Sequence, residues 1–400
     1  MDSSNYSGEE DFEWAVKLNR ISLKLLGLWP KSEHNLREKL ICNLRVLVAF
    51  ITMLTGFIIP CLHSLIRIHS DIILAIDNLQ TTLPGITCIL RLVIFWWKKQ
   101  ALIPVVNMMV EDWKKSKNQT YERETMIRWA LRARIVIICI YSIMGMAYIL
   151  FVGMPIFGKA IRLTPNITDP GRPLPLQTYY LYDVTKRPQH ELTFIFQAIS
   201  TFIAMLCYTG IDTFLGLLTF HICAQLDILK NRLMHLHECE SFHDALKDVV
   251  MYHIRLLRMI FAVEDAYNII LLVLLSYFAI LFAFYGFLLI SLFDEGNGIP
   301  ITRLLYLVII VITVLLHMCL YCAVGEMLMT QCDGIYYAIC NYKWYSLDPK
   351  KARHMIIFMI KASEPVYLTA GKVFPMTLSL FCNVIKTSAG YMSFLLTTRN

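Results

Sequence analysis

Seven apolar runs, each long enough to cross a lipid bilayer and each flanked by charged or polar connectors, constrain this chain more than any other feature. They are read at 40–66, 72–97, 135–157, 192–223, 260–293, 303–328 and 366–399. A helix needs about 20 predominantly apolar residues to span the hydrocarbon core, and in lipid only helices and closed barrels satisfy their own backbone groups. Composition agrees: 57% of the 400 residues are hydrophobic and 17% charged, and a mean hydropathy of +0.55 is too high for an ordinary water-soluble domain. The expected fold class is all-α, a polytopic membrane protein with seven transmembrane helices.

Basic residues set its orientation. The connections on one side of the runs hold 26 Lys and Arg, against 8 on the other. The positive-inside rule then puts the N-terminus in the cytosol and, after seven crossings, the C-terminus outside. The net charge of +7 is a consequence of this topology and calls for no nucleic-acid partner. The first forty residues contain no apolar core followed by a cleavage site, so no cleavable signal peptide is expected. Within 1–39, Trp14, Leu18, Ile21, Leu25 and Leu28 alternate with basic residues, which predicts an amphipathic helix on the cytosolic membrane surface. The body, 40–328, carries six spans; 329–365 reads as a polar and aromatic cytosolic hairpin in which Asp348-Pro349 opens a short helix; 366–400 is the seventh helix. Asn166-Ile167-Thr168, in the long loop between the third and fourth spans, is a glycosylation acceptor if it faces outward.

The last run carries a polar stripe. Ser379, Asn383, Lys386, Gly390, Ser393 and Thr397 recur at steps of three and four and share one side of a helix, while Leu378, Phe381, Ile385 and Met392 form the other. A lysine at the bilayer centre costs roughly 2.5–3.5 kcal/mol on insertion scales, so this seam needs water or a partner. It either packs on another helix through small and polar residues or lines a pore.

Enzyme chemistry finds little support. The densest titratable cluster, His235, His237, Glu238, Cys239, Glu240, His243 and His253, lies in a cytosolic connector and follows no zinc spacing; it reads as a solvated helix surface. The twelve cysteines scatter through apolar runs without disulfide or metal spacing, and no cofactor is expected. Asp77 and Asp212 are intramembrane charges, each either functional or paired with Arg91 or a backbone group.

The fourth run contains Asp212-Thr213-Phe214 followed by His221, Gln225 and Leu229. The tail contains Cys322 to Glu326, Ala338, Trp344-Tyr345, Pro349, Pro365, Ala370-Gly371-Lys372-Val373-Phe374, Lys386-Thr387-Ser388 and Tyr391. In order and spacing these resemble the signatures of insect odorant receptors, and Leu26-Gly27-Leu28-Trp29-Pro30 is similar to the opening of many hymenopteran members. The resemblance implies the odorant-binding tuning subunit of a ligand-gated, non-selective cation channel at the plasma membrane of an olfactory neuron's dendrite. Four subunits, some of them an obligate co-receptor, would surround a pore built from their seventh helices. It also implies a gate near Phe394 and Thr398, with Asn383, Thr387 and Tyr391 towards the axis, and a cytosolic subunit anchor that includes Trp344, Tyr345 and Lys372. Lys386 is expected to point sideways to a neighbouring subunit. The gustatory branch of the same superfamily and a metabotropic heptahelical receptor are the alternatives; the latter would need the opposite orientation.

A small volatile needs a concave, mostly apolar pocket. It is expected where the outer halves of the spans converge, walled by Tyr141, Met144, Tyr148 and Phe151 on one face of the third span, with Gly145 leaving room. Leu74, Asn78, Phe196, Gln197, Thr201 and Tyr306 are the expected facing walls. Ordinary core packing is the competing reading of the same residues.

Overall fold

The computed structural model describes residues 8–31, 35–70, 72–116, 119–158, 182–238, 241–294 and 301–399, with part of the stretch 173–180. The side chains of 72, 73, 287, 289–294, 301–307 and 391–399 lie outside that description, as does Asn166. The chain is nearly all helix: α1 Gly8–Leu25, α2 Leu36–Met53, α3 Ile59–Arg67, α4 Ile72–Lys98, α5 Ile103–Ser116, α6 Thr120–Ile156, α7 Gln189–Met234, α8 Phe242–Asp294, α9 Ile301–Asn341, α10 Pro349–Ala362 and α11 Leu378–Arg399. A π-turn, Leu54–Ile58, joins α2 to α3 into one span. Six helices among the described residues are long and apolar enough to cross a membrane. The seventh, α11, has 22 residues and is about 33 Å long at 1.5 Å per residue. Seven crossings leave the termini on opposite faces, and the basic-residue asymmetry assigns the N-terminal one to the cytosol.

α7 is the central post. Its residues 209–229 are almost continuously buried, and α1, α2, α4, α6, α8 and α9 all pack on it. α6 is the opposite case: only 6% of its most apolar window is buried, so it stands at the rim of the bundle with its outer side towards lipid. α7, α8 and α9 run past the expected ends of their spans, so the fourth-to-fifth connector is two helical extensions with a short break. There His253 is not a solvated side chain; it is buried against Phe358 of α10, ring centroids 5.3 Å apart.

Two expectations are corrected. α1 does not lie on the membrane surface. Phe12, Val16, Asn19 and Leu23 are buried, and the helix is wedged between α5, α6 and α7. Its amphipathic pattern is real, but the apolar stripe meets protein instead of lipid. Asn19 Nδ2 donates to Thr213 Oγ1 at 3.0 Å, Tyr141 donates to Ser22 Oγ at 2.6 Å, and Arg134 donates to the Trp14 carbonyl at 2.7 Å. Gly27, at φ 74, ends the helix, and Lys99 donates to its carbonyl at 3.2 Å.

The seventh run is not helical from 366. Thr369–Ala370 and Phe374–Pro375 form a small antiparallel hairpin, and the helix begins only at Leu378. Gly371 and Lys372, both near φ 60, turn the hairpin, with Val373 N–H donating to the Ala370 carbonyl at 3.2 Å. Two consecutive positive φ values are the mark of a type I′ turn, which a helix cannot accommodate. Glu326 of α9 then caps α11, accepting from the Leu378 N–H at 3.2 Å.

Candidate ligand cavity and pore helix

Two adjoining cavities occupy the bundle. One, of about 240 Å³, lies between α6, α7 and α9. The other, of about 270 Å³, lies beside Pro84 of α4 and the π-turn residue Phe57, and reaches α7, α8 and α9. Both volumes fall just under the roughly 300–1,000 Å³ typical of small-molecule pockets. Met144, Tyr208, Thr313 and His317 border both. Proline inside a helix removes one backbone hydrogen bond, and a π-turn shifts the register of side chains; each leaves room where straight helices would close.

These cavities lie deeper than the outer halves of the spans, at residues 204–220 of α7 and 133–144 of α6. The outer end is filled by the chain's own loop. Gln197 accepts from the Leu176 N–H at 2.9 Å, and donates to the Leu176 carbonyl at 3.2 Å and to the Tyr180 hydroxyl at 2.6 Å. Leu174 and Leu176 are buried there, and Tyr182 bonds to Thr193 at 2.7 Å. Gln197 is thus a clasp for the loop.

Of the residues singled out in sequence, Met144 lines both cavities. Tyr141 turns to Ser22 of α1. Tyr148 donates to the Ala198 carbonyl at 3.0 Å and leans on Phe202, centroids 5.5 Å apart, closing the α6–α7 contact above the cavities. Phe151 packs half-buried against the core. A Cβ added to Gly145 would meet nothing within 4 Å. Phe196 is 43% exposed and lays its ring edge against Gly56 of the π-turn, outside both cavities. Thr201 donates to the Gln197 carbonyl of its own helix at 2.8 Å, and Asn78 Oδ1 accepts from Thr82 at 2.7 Å. Leu74 is half-buried, and the Tyr306 side chain lies outside the described residues.

The polar centre of the site is a group that sequence reading left in pieces. Arg91, fully buried, forms an ion pair with Asp212, and its guanidinium sits 4.3 Å above the Tyr208 ring. His317 Nδ1 lies 3.0 Å from the Tyr208 hydroxyl and its Nε2 lies 3.4 Å from Asp212 Oδ2. Phe278 and Tyr321 pack on the imidazole, centroids 5.5 and 5.1 Å away. The sequence alone offers Arg91 as one partner for Asp212. Tyr208, Thr313 and His317 were missed, although an ionisable His317 inside an apolar run is the kind of signal that marks intramembrane function. The rest of the fourth-run signature has packing roles: Thr213 accepts from Asn19, Phe214 meets Trp29 at 5.5 Å, His221 bonds Asp112 at 3.1 Å, and Gln225 accepts from Tyr252.

α11 docks on α8 and α9 through Leu380, Phe381 and Val384. Ser379, Asn383, Lys386, Thr387 and Gly390 are exposed, so the polar seam faces away from the bundle. Tyr391, Phe394 and Thr398 lie beyond the described side chains. In the connector before the hairpin Tyr345 is 72% exposed, Trp344 is half-buried beside it, and Lys372 is exposed at the turn. Among the described residues, no group of His, Cys, Asp and Glu could hold a metal ion.

These features define a class: a seven-helix membrane protein with cavities among its helices and a last helix whose polar side no other described residue covers. A family model described as 7tm Odorant receptor matches residues 71–389, and the chain belongs to that family. It is therefore a receptor and not an enzyme. Odorant receptor 13a of Drosophila melanogaster is 23% identical, the match covering 93% of each chain. Odorant receptor Or2 of Anopheles gambiae is 24% identical over 61% of this chain and 64% of its own. The olfactory receptor OR5 of Machilis hrabei has the same fold, with a TM-score of 0.79 at 17% identity, covering 98% of this chain and 99% of its own; its complex with eugenol superposes equally well.

Proposed function

We propose that the chain is the odorant-binding tuning subunit of a ligand-gated, non-selective cation channel in the plasma membrane of an olfactory neuron, working as a heterotetramer with a co-receptor. The observation that carries this reading is the pairing of a mid-bilayer cavity with a seventh helix whose polar seam is left uncovered by the described residues of its own subunit. A lysine and an asparagine on such a surface need water or another chain, and a central pore ringed by α11 helices supplies both. In this arrangement Asn383 and Thr387 approach the pore, with Tyr391, Phe394 and Thr398 further out. Lys386 turns to a neighbouring subunit, and Trp344, Tyr345 and Lys372 belong to the cytosolic anchor. The receptor of Machilis hrabei solved with eugenol supports a small volatile as the ligand. Met144 is the one residue singled out in sequence that borders both cavities, which makes it the first contact to test.

The test is current recorded from cells that express the chain with and without a co-receptor under a panel of volatiles. Cation current that needs both subunits and a volatile is the expected result. Current that depends on G-protein signalling instead would overturn the channel reading.

A further inference from the structure

The cavity between α6, α7 and α9 is apolar along most of its wall, with Ile137, Ile140, Met144, Leu316 and Leu320, but one end is not. Asp212, Thr209, Tyr208 and His317 converge there. The Asp212 side chain is 10% exposed; one carboxylate oxygen pairs with Arg91, and the other, Oδ2, has no hydrogen-bond partner. Thr209 is 1% exposed and its Oγ1 also lacks a partner. A buried carboxylate oxygen and a buried hydroxyl left in this state are unfavourable, and native proteins rarely keep them without a use.

The spacing shows what would satisfy them. His317 Nε2 is 3.4 Å from Asp212 Oδ2, beyond the usual 2.7–3.2 Å of a direct N–H···O bond. In the tautomer in which Nδ1 accepts from the Tyr208 hydroxyl, Nε2 carries the proton on the side of the carboxylate, and no hydrogen bond closes between the two. A hydroxyl placed beside that gap donates to Oδ2 and accepts from Nε2–H. An ether or hydrocarbon of the same shape cannot donate, and it leaves Oδ2 bare.

We propose that this cavity binds a small apolar molecule bearing one hydroxyl, an alcohol or a phenol, and that Asp212 reads the hydroxyl with His317 as its second contact. The proposal rests on the reading of the chain as an odorant receptor channel subunit and narrows its ligand class. It also assigns Arg91 a positioning role: it holds one carboxylate oxygen of Asp212 and leaves the other towards the cavity. A hydrogen bond to a charged group separates the hydroxyl-bearing ligand from its isomer by about tenfold or more in affinity.

The test uses the full-length chain in lipid nanodiscs, with empty nanodiscs as blank, and two isomer pairs: hexanol with methyl pentyl ether, and phenylethanol with benzyl methyl ether. Retention is measured directly, and the same four compounds are applied to cells that co-express the chain and a co-receptor. The wild type is expected to hold at least one alcohol about tenfold more tightly than its ether. Asp212→Asn should shrink the preference to about threefold or less. His317→Phe, which leaves the Arg91–Asp212 pair intact, should do the same and decides the matter if the Asp212 variant fails to fold. Equal retention within both pairs, no retention of any of the four, or a preference that survives in His317→Phe overturns the proposal. If the alcohols are preferred in binding but gate no current, the site stands and the channel reading falls. If alcohols and ethers gate current equally, the channel reading stands and the site falls.

Discussion

Asp212 and Gly145 mark the two extremes of what a single position carries here. Arg91 and Asp212 are each other's compensation inside the bilayer, and removing one partner of a buried pair costs about 3–5 kcal/mol because the other is left charged and unpaired. Arg91→Ala should therefore leave most of the protein inside the cell, measured as surface-labelled against total receptor; normal delivery would mean that Asp212 is satisfied without it. Gly145→Ala should be silent towards ligands, since the added methyl meets nothing, and should raise helix stability by about 0.5–1 kcal/mol. Tyr148→Phe loses one hydrogen bond to the Ala198 carbonyl, about 1 kcal/mol, and keeps the contact with Phe202. Its melting temperature should fall slightly while the ranking of odorants is unchanged; a re-ordered panel would place a ligand against this ring. At this scale the sequence was legible in kind but not in partner. Periodicity put Tyr141, Met144 and Tyr148 on one face of α6, but only Met144 meets the cavities, because Tyr141 is taken up by Ser22 of α1 and Tyr148 by Ala198 and Phe202 of α7.

Among the elements, length and hydropathy located the six long apolar helices and the run that holds α11, since the bilayer fixes what a span must look like. They did not reveal where helix gives way to turn. The run from 366 is apolar enough to have continued as helix, and the left-handed pair Gly371 and Lys372, followed by Pro375, explains why it does not. The hairpin is seated by a close approach: a Cβ on Gly325 of α9 would run into the Met376 carbonyl, which is backbone and cannot give way. Gly325→Ala should displace the hairpin and with it the start of α11, giving reduced odorant-evoked current even where receptor reaches the surface. Current per surface receptor is the measurement, and an unchanged ratio would show that the hairpin does not set the helix. α11 itself predicts an accessibility pattern. Cysteine at Asn383 or Thr387 should react with a charged thiol reagent and block current, whereas cysteine at Val384, packed on the core, should not. The reverse pattern would require the helix to be turned about its axis.

For the whole molecule, seven crossings and the count of 26 basic residues against 8 predict that an antibody reaches an N-terminal tag only after permeabilisation and a C-terminal tag on intact cells. Opposite labelling would remove the topology and the channel reading together. The organisation of the bundle around α7 was only half visible: the Asp212-Thr213-Phe214 signature was there to be read, but its contacts to Asn19 and Trp29 cross nearly two hundred positions of chain. That separation bears on how the receptor is made. α1 leaves the ribosome before the walls that hold it, α5, α6 and α7, which are completed only at Met234. At about 5–20 residues per second, α1 must wait on the order of 10–40 s in the cytosol with Phe12, Val16 and Leu23 uncovered. Biogenesis thus includes a late step, the return of the N-terminus into an already inserted bundle, and that interval is when a chaperone has its access to the nascent receptor.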